Sequence, residues 1–159
     1  MLIKGLLGLL AAVGAFSLIA FGVKSILRYL RRNQLLAGKD IFHRRREWLE
    51  AEFLSRATKC GKPRGLEWVN CDFDDDVTFA RDRHSGELRA LVGVTISFQA
   101  IPGGGMEDVE AVGNLRAATA VFRFDRRHWE TEGRAIFNLS PHETIRHFGH
   151  ELEPVEASG

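Results

Sequence analysis

The chain contains 159 residues, enough for one small globular domain and one additional segment. Its two cysteines are too few for a disulfide framework, and its net charge of +1 hides an uneven distribution. Residues 1–64 contain 13 Lys and Arg against 4 Asp and Glu, whereas residues 65–159 contain 9 against 17. An acidic distal domain lacks the basic face that neutralises phosphates, so we expect no nucleic-acid partner.

The first predicted element is an uncharged run from Gly5 to Val23, which follows Lys4 and precedes several basic residues. At about 1.5 Å rise per residue, a helix of this length reaches roughly 28 Å, close to the bilayer core of about 30 Å. We therefore predict a transmembrane anchor over residues 1–24. A cleaved signal peptide is the alternative, but the run exceeds a signal core of about 7 to 15 residues.

Basic residues dominate the segment after this run. By the positive-inside rule they place the following domain in the cytoplasm, which predicts a single-pass membrane protein. Four of them recur at intervals near one helical turn, so we expect them to contact the bilayer surface, although a plain stop-transfer flank explains the same pattern. These residues are Lys24, Arg28, Arg31 and Arg32.

Residues 25–60 are predicted to form a basic juxtamembrane segment and a helical stalk. Asp40 is a candidate cap for a helix in which Phe42, Leu49 and Phe53 recur at helical spacing. We expect this apolar stripe to dock onto the distal domain. Pairing with a second copy, which would give a homo-oligomer through the stalk helix, is the alternative.

Residues 61–154 are predicted to form a soluble α+β domain, followed by a disordered tail at 155–159. A capping box at Ser140 to Glu143 predicts a closing helix with Ile145, Phe148 and Leu152 on its buried side. The fold class is therefore α+β: a transmembrane helix, a stalk, and a small antiparallel β-meander sheet packed with helices over one face. The predicted strands are Leu66 to Phe73, Val77 to Arg81, Leu88 to Ala100, Ala117 to Phe124 and Trp129 to Asn138.

The third of these strands shows the clearest alternation. Its apolar residues face one way and Arg89, Thr95, Ser97 and Gln99 face the other, which predicts a half-buried strand. The last two strands flank Asp125 to His128 as a hairpin.

Two groups of residues are weak candidates for metal ligands. The first is the acidic cluster from Asp72 to Asp76, whose alternate carboxylates would share one side of a strand. The residues at the sixth and twelfth positions of a calcium-binding loop starting here do not match the pattern of such loops. The second is the last helix, where imidazole and carboxylate lie three or four residues apart. A solvated acidic turn and an exposed polar helix face explain both groups, so we predict no metal and no cofactor. The candidates are Asp72, Asp74, Asp76, Glu143, His147 and His150.

Three consecutive glycines follow the third predicted strand. Such a loop is either a mobile connection or an ordered loop that needs positive φ or a very close backbone approach. If ordered, it is the best candidate for recognition of a protein partner, whose identity the sequence does not give. The candidate partner-binding residues are Gly103, Gly104, Gly105, Glu107, Asp108, Asn114 and Arg116.

No nucleophile or acid–base arrangement in the sequence marks an active site. We therefore expect a membrane-anchored binding or scaffolding domain rather than an enzyme, and we assign no catalytic residue. The alternatives are a membrane-tethered, metal-dependent hydrolase and a small-ligand-binding domain with its pocket near Thr95, Ser97 and Gln99.

Overall fold

The computed structural model describes residues 2–60 and 65–155, with side chains from residue 16 onward except those of residues 60 and 111. This part of the chain contains three α-helices and one antiparallel sheet of six strands. It divides into two compact units, Met1–Lys39 and Asp40–Gly159. The elements are α1 (Leu2–Arg44), α2 (Arg46–Cys60), β1 (Leu66–Asp82), β2 (Leu88–Ala100), β3 (Arg116–Asp125), β4 (His128–Glu130), β5 (Ala135–Phe137), α3 (Pro141–His147) and β6 (Leu152–Pro154).

Helix α1 corrects the membrane prediction. It continues from the apolar run through the basic residues to Arg44. The side chains of Gly5 to Ala15, which make up much of the predicted anchor, lie outside the described part. Within the described residues, no helix combines the length and the apolar character that a membrane crossing requires.

The predicted anchor is therefore wrong. The transmembrane helix of the fold class, the membrane-anchored function and the single-pass localisation with a cytoplasmic domain are wrong for the same reason. The bilayer contact assigned to Lys24, Arg28, Arg31 and Arg32 depended on that anchor. The predicted start of the domain falls at residues 61–64, and residues 156–159 hold most of the predicted tail; both lie outside the described residues.

The sheet has the strand order β4-β3-β2-β1-β6, and β5 also pairs with β3. Strand β2 has the predicted bounds because its alternating pattern fits a half-buried strand. The two strands predicted before it form one strand, β1, with an irregular register between Phe73 and Val77. The strand predicted over Trp129 to Asn138 is split into β4 and β5, with Gly133 at a φ of 76° between them.

One side of the sheet, here called the aromatic face, carries Phe79, Ala90 and Phe122 in register. Phe42 of α1 packs edge-on against Phe122, with ring centroids 5.3 Å apart, and Phe53 of α2 lies 5.9 Å from the same ring. Both helical side chains are fully buried. Each such burial contributes about 1.5–3 kcal/mol, so the stripe predicted in the stalk docks onto the sheet of its own chain.

The other side, here called the cleft face, carries a smaller cluster in which Ala80, Leu91 and Ile145 are buried. The predicted capping box is present: Ser140 accepts from the N–H of Glu143, whose carboxylate bonds back to the N–H of Ser140. Helix α3 has only seven residues. The prediction that helices cover one face is wrong, because α2 and α3 pack on opposite faces.

Two local predictions also need correction. Asp40 does not begin a helix, since α1 runs through it, and its carboxylate instead pairs with Arg44 at 2.7 Å. The closing helix ends at His147, before Leu152, which was predicted on its buried side. Leu152 begins β6, whose pairing with β1 extends the sheet beyond the predicted meander.

Candidate functional site

The best-defined concavity on the cleft face is a cleft of about 210 Å³, here called the charged cleft. Its wall comes from the sheet, from the segment joining β4 to β5, and from the chain that follows α3. The lining residues combine an apolar floor with a charged rim. They are Asp82, Arg89, Leu91, Val121, Arg123, Thr131, Glu132, Arg134, Ile136, Phe148, Glu151 and Leu152.

The floor follows from strand alternation. Leu91 of β2 and Val121 of β3 are register partners, so their side chains share one face of the sheet. Both contact the cluster around Ile145, and Leu152 packs against it from the far edge. Because α3 is short, it covers only part of this apolar surface and leaves the cleft beside it.

Arg89 and Asp82 form the first charged pair of the rim. Arg89 donates to Asp82 at 3.1 Å and lies 3.3 Å from Glu87. The Asp82 carboxylate also accepts from the backbone N–H groups of His84 and Ser85, each at 2.9 Å. The bond from Ser85, followed by those from Arg89 and His84, lowers the pKa of Asp82 to about 2. This corner of the rim is therefore a hydrogen-bonded turn, and the positive charge of Arg89 is already neutralised by the neighbouring carboxylates.

Arg123 is the second arginine of the rim, and it is neutralised in the same way. Its guanidinium lies 2.5 Å from Glu130 and 3.6 Å from Glu132. The hydrogen bond to Glu130 raises the pKa of Arg123. Two carboxylates beside one guanidinium leave no net positive charge for a ligand to use at this point.

Arg134, the third arginine, differs from the other two. Its guanidinium lies over the ring of Phe148, 5.9 Å from the centroid, and no described carboxylate comes within ion-pair distance. Its backbone is fixed, because its carbonyl accepts from the N–H of Val121 at 3.1 Å. Arg134 thus presents a positive charge at the cleft from a well-anchored position.

Glu151 faces the same cleft from the chain after α3. Its carboxylate lies 3.2 Å from His150, an ion pair only when that imidazole is protonated. Its backbone is held on both sides: its N–H donates to Phe148 at 2.8 Å and its carbonyl accepts from Arg83 at 2.7 Å. Among the described lining residues, Arg134 and Glu151 are the two whose charges are not matched by a permanently charged partner.

The prediction from sequence missed the charged cleft. Arg89 was placed on the polar side of its strand, which is correct, but that side was expected to face solvent. The missed signal was Leu91, an apolar residue on the polar side of β2 that indicates a second buried face.

The glycine loop has a defined geometry. Gly103 and Gly105 have φ values of 77° and 73°, and a Cβ on Gly104 would lie 2.7 Å from the Cα of Gly65. The N–H of Gly103 donates to the carboxylate of Glu107. Hydrogen bonds from its own N–H and from that of Gly103 lower the pKa of Glu107.

This loop and the 3-10 helix at Glu110–Gly113 border a second cleft, of about 300 Å³. Arg116 is in its lining, whereas Asp108 and Asn114 are exposed outside it. The partner-binding role of the predicted loop residues stays a prediction, as does the homo-oligomer through the stalk helix. The second cleft is lined by Leu66, Phe98, Met106, Val109, Val112, Arg116, Phe137 and Asn138.

The acidic candidates for metal ligands serve structural roles. Asp74 and Asp76 lie in the bulged part of β1, where Arg46 donates to the backbone carbonyls of Asp74 and Asp75. Asp72 accepts from the side chain of Asn70. The Asp74 carboxylate lies over Gly93, where any Cβ would overlap it.

The candidates on the last helix are also separated. Hydrogen bonds from the N–H and hydroxyl of Ser140 lower the pKa of Glu143, so its carboxylate is used in the helix cap. His147 packs on Phe148, and His150 lies beyond the end of α3. In the described part of the chain, no three His, Cys, Asp or Glu residues come together in a way that would hold a metal ion.

Two remaining sequence features can be placed. Thr95 lines an open cleft of about 440 Å³ on the cleft face, whose lining does not include Ser97 or Gln99. Cys71 is a free, half-buried thiol. Burial, with the nearby carboxylate of Asp72, raises the pKa of Cys71 to about 12, so this thiol is not activated as a nucleophile.

The fold and the charged cleft together define an α+β domain with an antiparallel sheet and a concavity of small-molecule size. No family model, no curated protein and no solved structure matches the chain. Its function is therefore argued from the cleft alone.

Proposed function

We propose that the Asp40–Gly159 unit binds a small molecule that carries a carboxylate, and that the charged cleft is the binding site. The observation that carries this proposal is the contrast between Arg134 and the other two arginines of the rim. Arg89 and Arg123 each have two carboxylates beside them, whereas Arg134 has an aromatic ring. A guanidinium held in this way offers a planar pair of donors that matches a carboxylate.

The size and the apolar floor of the cleft limit the kinds of ligand that can bind. A volume of about 210 Å³ equals roughly seven water molecules at about 30 Å³ each, and it is smaller than a typical drug-sized pocket of about 300–1,000 Å³. The floor of Leu91, Val121 and Leu152 favours an aliphatic group. A short, branched aliphatic acid such as isocaproate fits both requirements.

The acidic character of the domain limits how tightly a simple anion binds. Residues 40–159 contain 16 Lys and Arg against 21 Asp and Glu, a net charge of −5. Charges farther away than the Debye length of about 10 Å at 0.1 M salt are largely screened, so the nearby guanidinium of Arg134 dominates at the site. We therefore expect weak but measurable binding of isocaproate.

The test is isothermal titration calorimetry of the full chain with isocaproate. Replacement Arg134→Gln removes the charge and is expected to weaken binding about tenfold or more, since a hydrogen bond to a charged group contributes roughly 1.5–3 kcal/mol. Arg134→Lys retains the charge without the planar donors and should give an intermediate affinity.

The matched control is Arg146→Gln, which makes the same chemical change at an exposed position of α3 outside the cleft lining. Its affinity for isocaproate should equal that of the unmodified chain. Equal binding by the Arg134→Gln variant, or no binding by the unmodified chain, contradicts the proposal. Thermal unfolding of each variant checks that the fold is intact, because the contact of Arg134 with Phe148 contributes only about 0.5–1 kcal/mol.

A further inference from the structure

We infer that the preferred ligand of the charged cleft is a zwitterion, namely a free α-amino acid with an aliphatic side chain, whose carboxylate binds Arg134 and whose ammonium group binds Glu151. This inference rests on the proposed function and goes beyond it, because it assigns the second polar contact and the class of ligand. It depends on the two lining charges that have no permanently charged partner, one of each sign.

The other lining charges are already matched by permanently charged partners. Asp82 is bonded to Arg89, and Glu132 lies beside Arg123. Each of these arginines lies beside two carboxylates, so these groups leave no unmatched positive charge. A ligand can gain charge-assisted hydrogen bonds only from the groups that remain, which are the guanidinium of Arg134 and the carboxylate of Glu151.

The backbone at both positions is fixed before any ligand arrives. The carbonyl of Arg134 is bonded to β3 through Val121, and both backbone groups of Glu151 are hydrogen-bonded. Phe148 connects the two positions, because its ring lies under the Arg134 guanidinium and its carbonyl accepts from the N–H of Glu151. A fixed backbone restricts where each charge can lie, so opposite charges at one cleft favour a ligand that satisfies both.

The charge of the binding unit also favours a zwitterion. A net charge of −5 over residues 40–159 opposes the approach of an anion but not that of a molecule with no net charge. A simple carboxylate would also leave Glu151 beside it, and like charges at one site are unfavourable. An ammonium group on the ligand converts that repulsion into an attraction.

The experiment compares three probes of similar aliphatic shape by calorimetry with the full chain. Leucine carries both charged groups, isocaproate carries only the carboxylate, and isoamylamine carries only the ammonium group. We expect leucine to bind about tenfold or more tightly than isocaproate, and isoamylamine to bind most weakly. Glu151→Gln should remove the preference for leucine over isocaproate, and Arg134→Gln should weaken both.

The control is Glu110→Gln, the same chemical change at an exposed residue outside the charged cleft, which should keep the full preference for leucine. The Glu151 side chain is 47% exposed, so its replacement does not disturb a buried contact. Equal affinity for leucine and isocaproate in the unmodified chain overturns the zwitterion inference and leaves the carboxylate site standing. Absence of binding by all three probes overturns both.

Discussion

The two faces of the sheet come from the same strands, yet one face is fully covered and the other is only partly covered. On the aromatic face, Phe42, Phe53, Phe122 and Trp129 are at most 1% exposed. On the cleft face the buried cluster is small, and Val121 and Leu152 are only partly covered. The covering helices differ in the same sense, since α2 has 15 residues and α3 has 7. The longer α2, with Phe42 of α1, seals the aromatic face, whereas the short α3 leaves part of the cleft face open to a ligand.

The largest expected effect separates the packing of the two faces. Phe122→Ala removes a fully buried ring from the aromatic face and should lower the free energy of unfolding by about 3–5 kcal/mol. Leu152→Ala on the cleft face should cost less than about 2 kcal/mol, because its side chain is only partly buried. Urea denaturation measures both. Equal losses would contradict the proposed difference between the faces.

The connection between the two faces can be tested at Gly133. Its φ is 76°, and a Cβ there would overlap the backbone of Ala57 in α2. We expect Gly133→Ala to lower the free energy of unfolding by about 2–3 kcal/mol, since strain and overlap add. Gly86→Ala is the control: it has a φ of 74° but open space around it, so only about 1 kcal/mol should be lost. Equal values in thermal unfolding would show that the packing of Gly133 on α2 contributes nothing.

A third change leaves both faces untouched. Arg126 and Arg127 form the two-residue turn between β3 and β4, with φ values of 43° and 79° that arginine rarely adopts. Replacing the pair with Asn-Gly should raise the free energy of unfolding by about 1–2 kcal/mol, measured by urea denaturation. Isocaproate binding should stay unchanged. A loss of binding would show that the hairpin tip belongs to the ligand site.

The smallest expected effect concerns the pH response of the cleft face. The pKa of Asp82 is lowered to about 2 in the folded chain, so its stabilising contribution is present above about pH 4 and is lost as the pH falls towards 2. Asp82→Asn should lower the thermal midpoint at pH 7 by about 2–4 °C, for a loss of roughly 1 kcal/mol. The variant should also lose less stability than the unmodified chain between about pH 4 and pH 2. Parallel pH profiles would contradict the role given to this carboxylate.

Local rules predicted the elements whose determinants lie close together in the chain. The alternation of β2, the capping box at Ser140 and the hairpin between β3 and β4 are examples. Two strand boundaries failed for non-local reasons. Arg46 of α2 holds the bulge that joins the two predicted halves of β1, and Gly133 interrupts the last predicted strand where it meets Ala57.

The charged cleft could not be predicted from the sequence for the same reason. Its walls come from segments distant in the chain, and the ion pairs that leave Arg134 different from Arg89 and Arg123 depend on strand register. The anchor was predicted from the apolar run alone, whereas no helix among the described residues has both the length and the apolar character of a membrane span. Composition indicated the acidic domain correctly but not where its few unmatched charges lie.

The most direct test of the account is an amide-proton NMR titration of the full chain with leucine, because it locates binding on one face or the other. The account predicts saturable shifts at Arg134, Phe148 and Glu151, with little change at Phe53 and Phe122. Shifts confined to the aromatic face, or no shifts at saturating leucine, would contradict it.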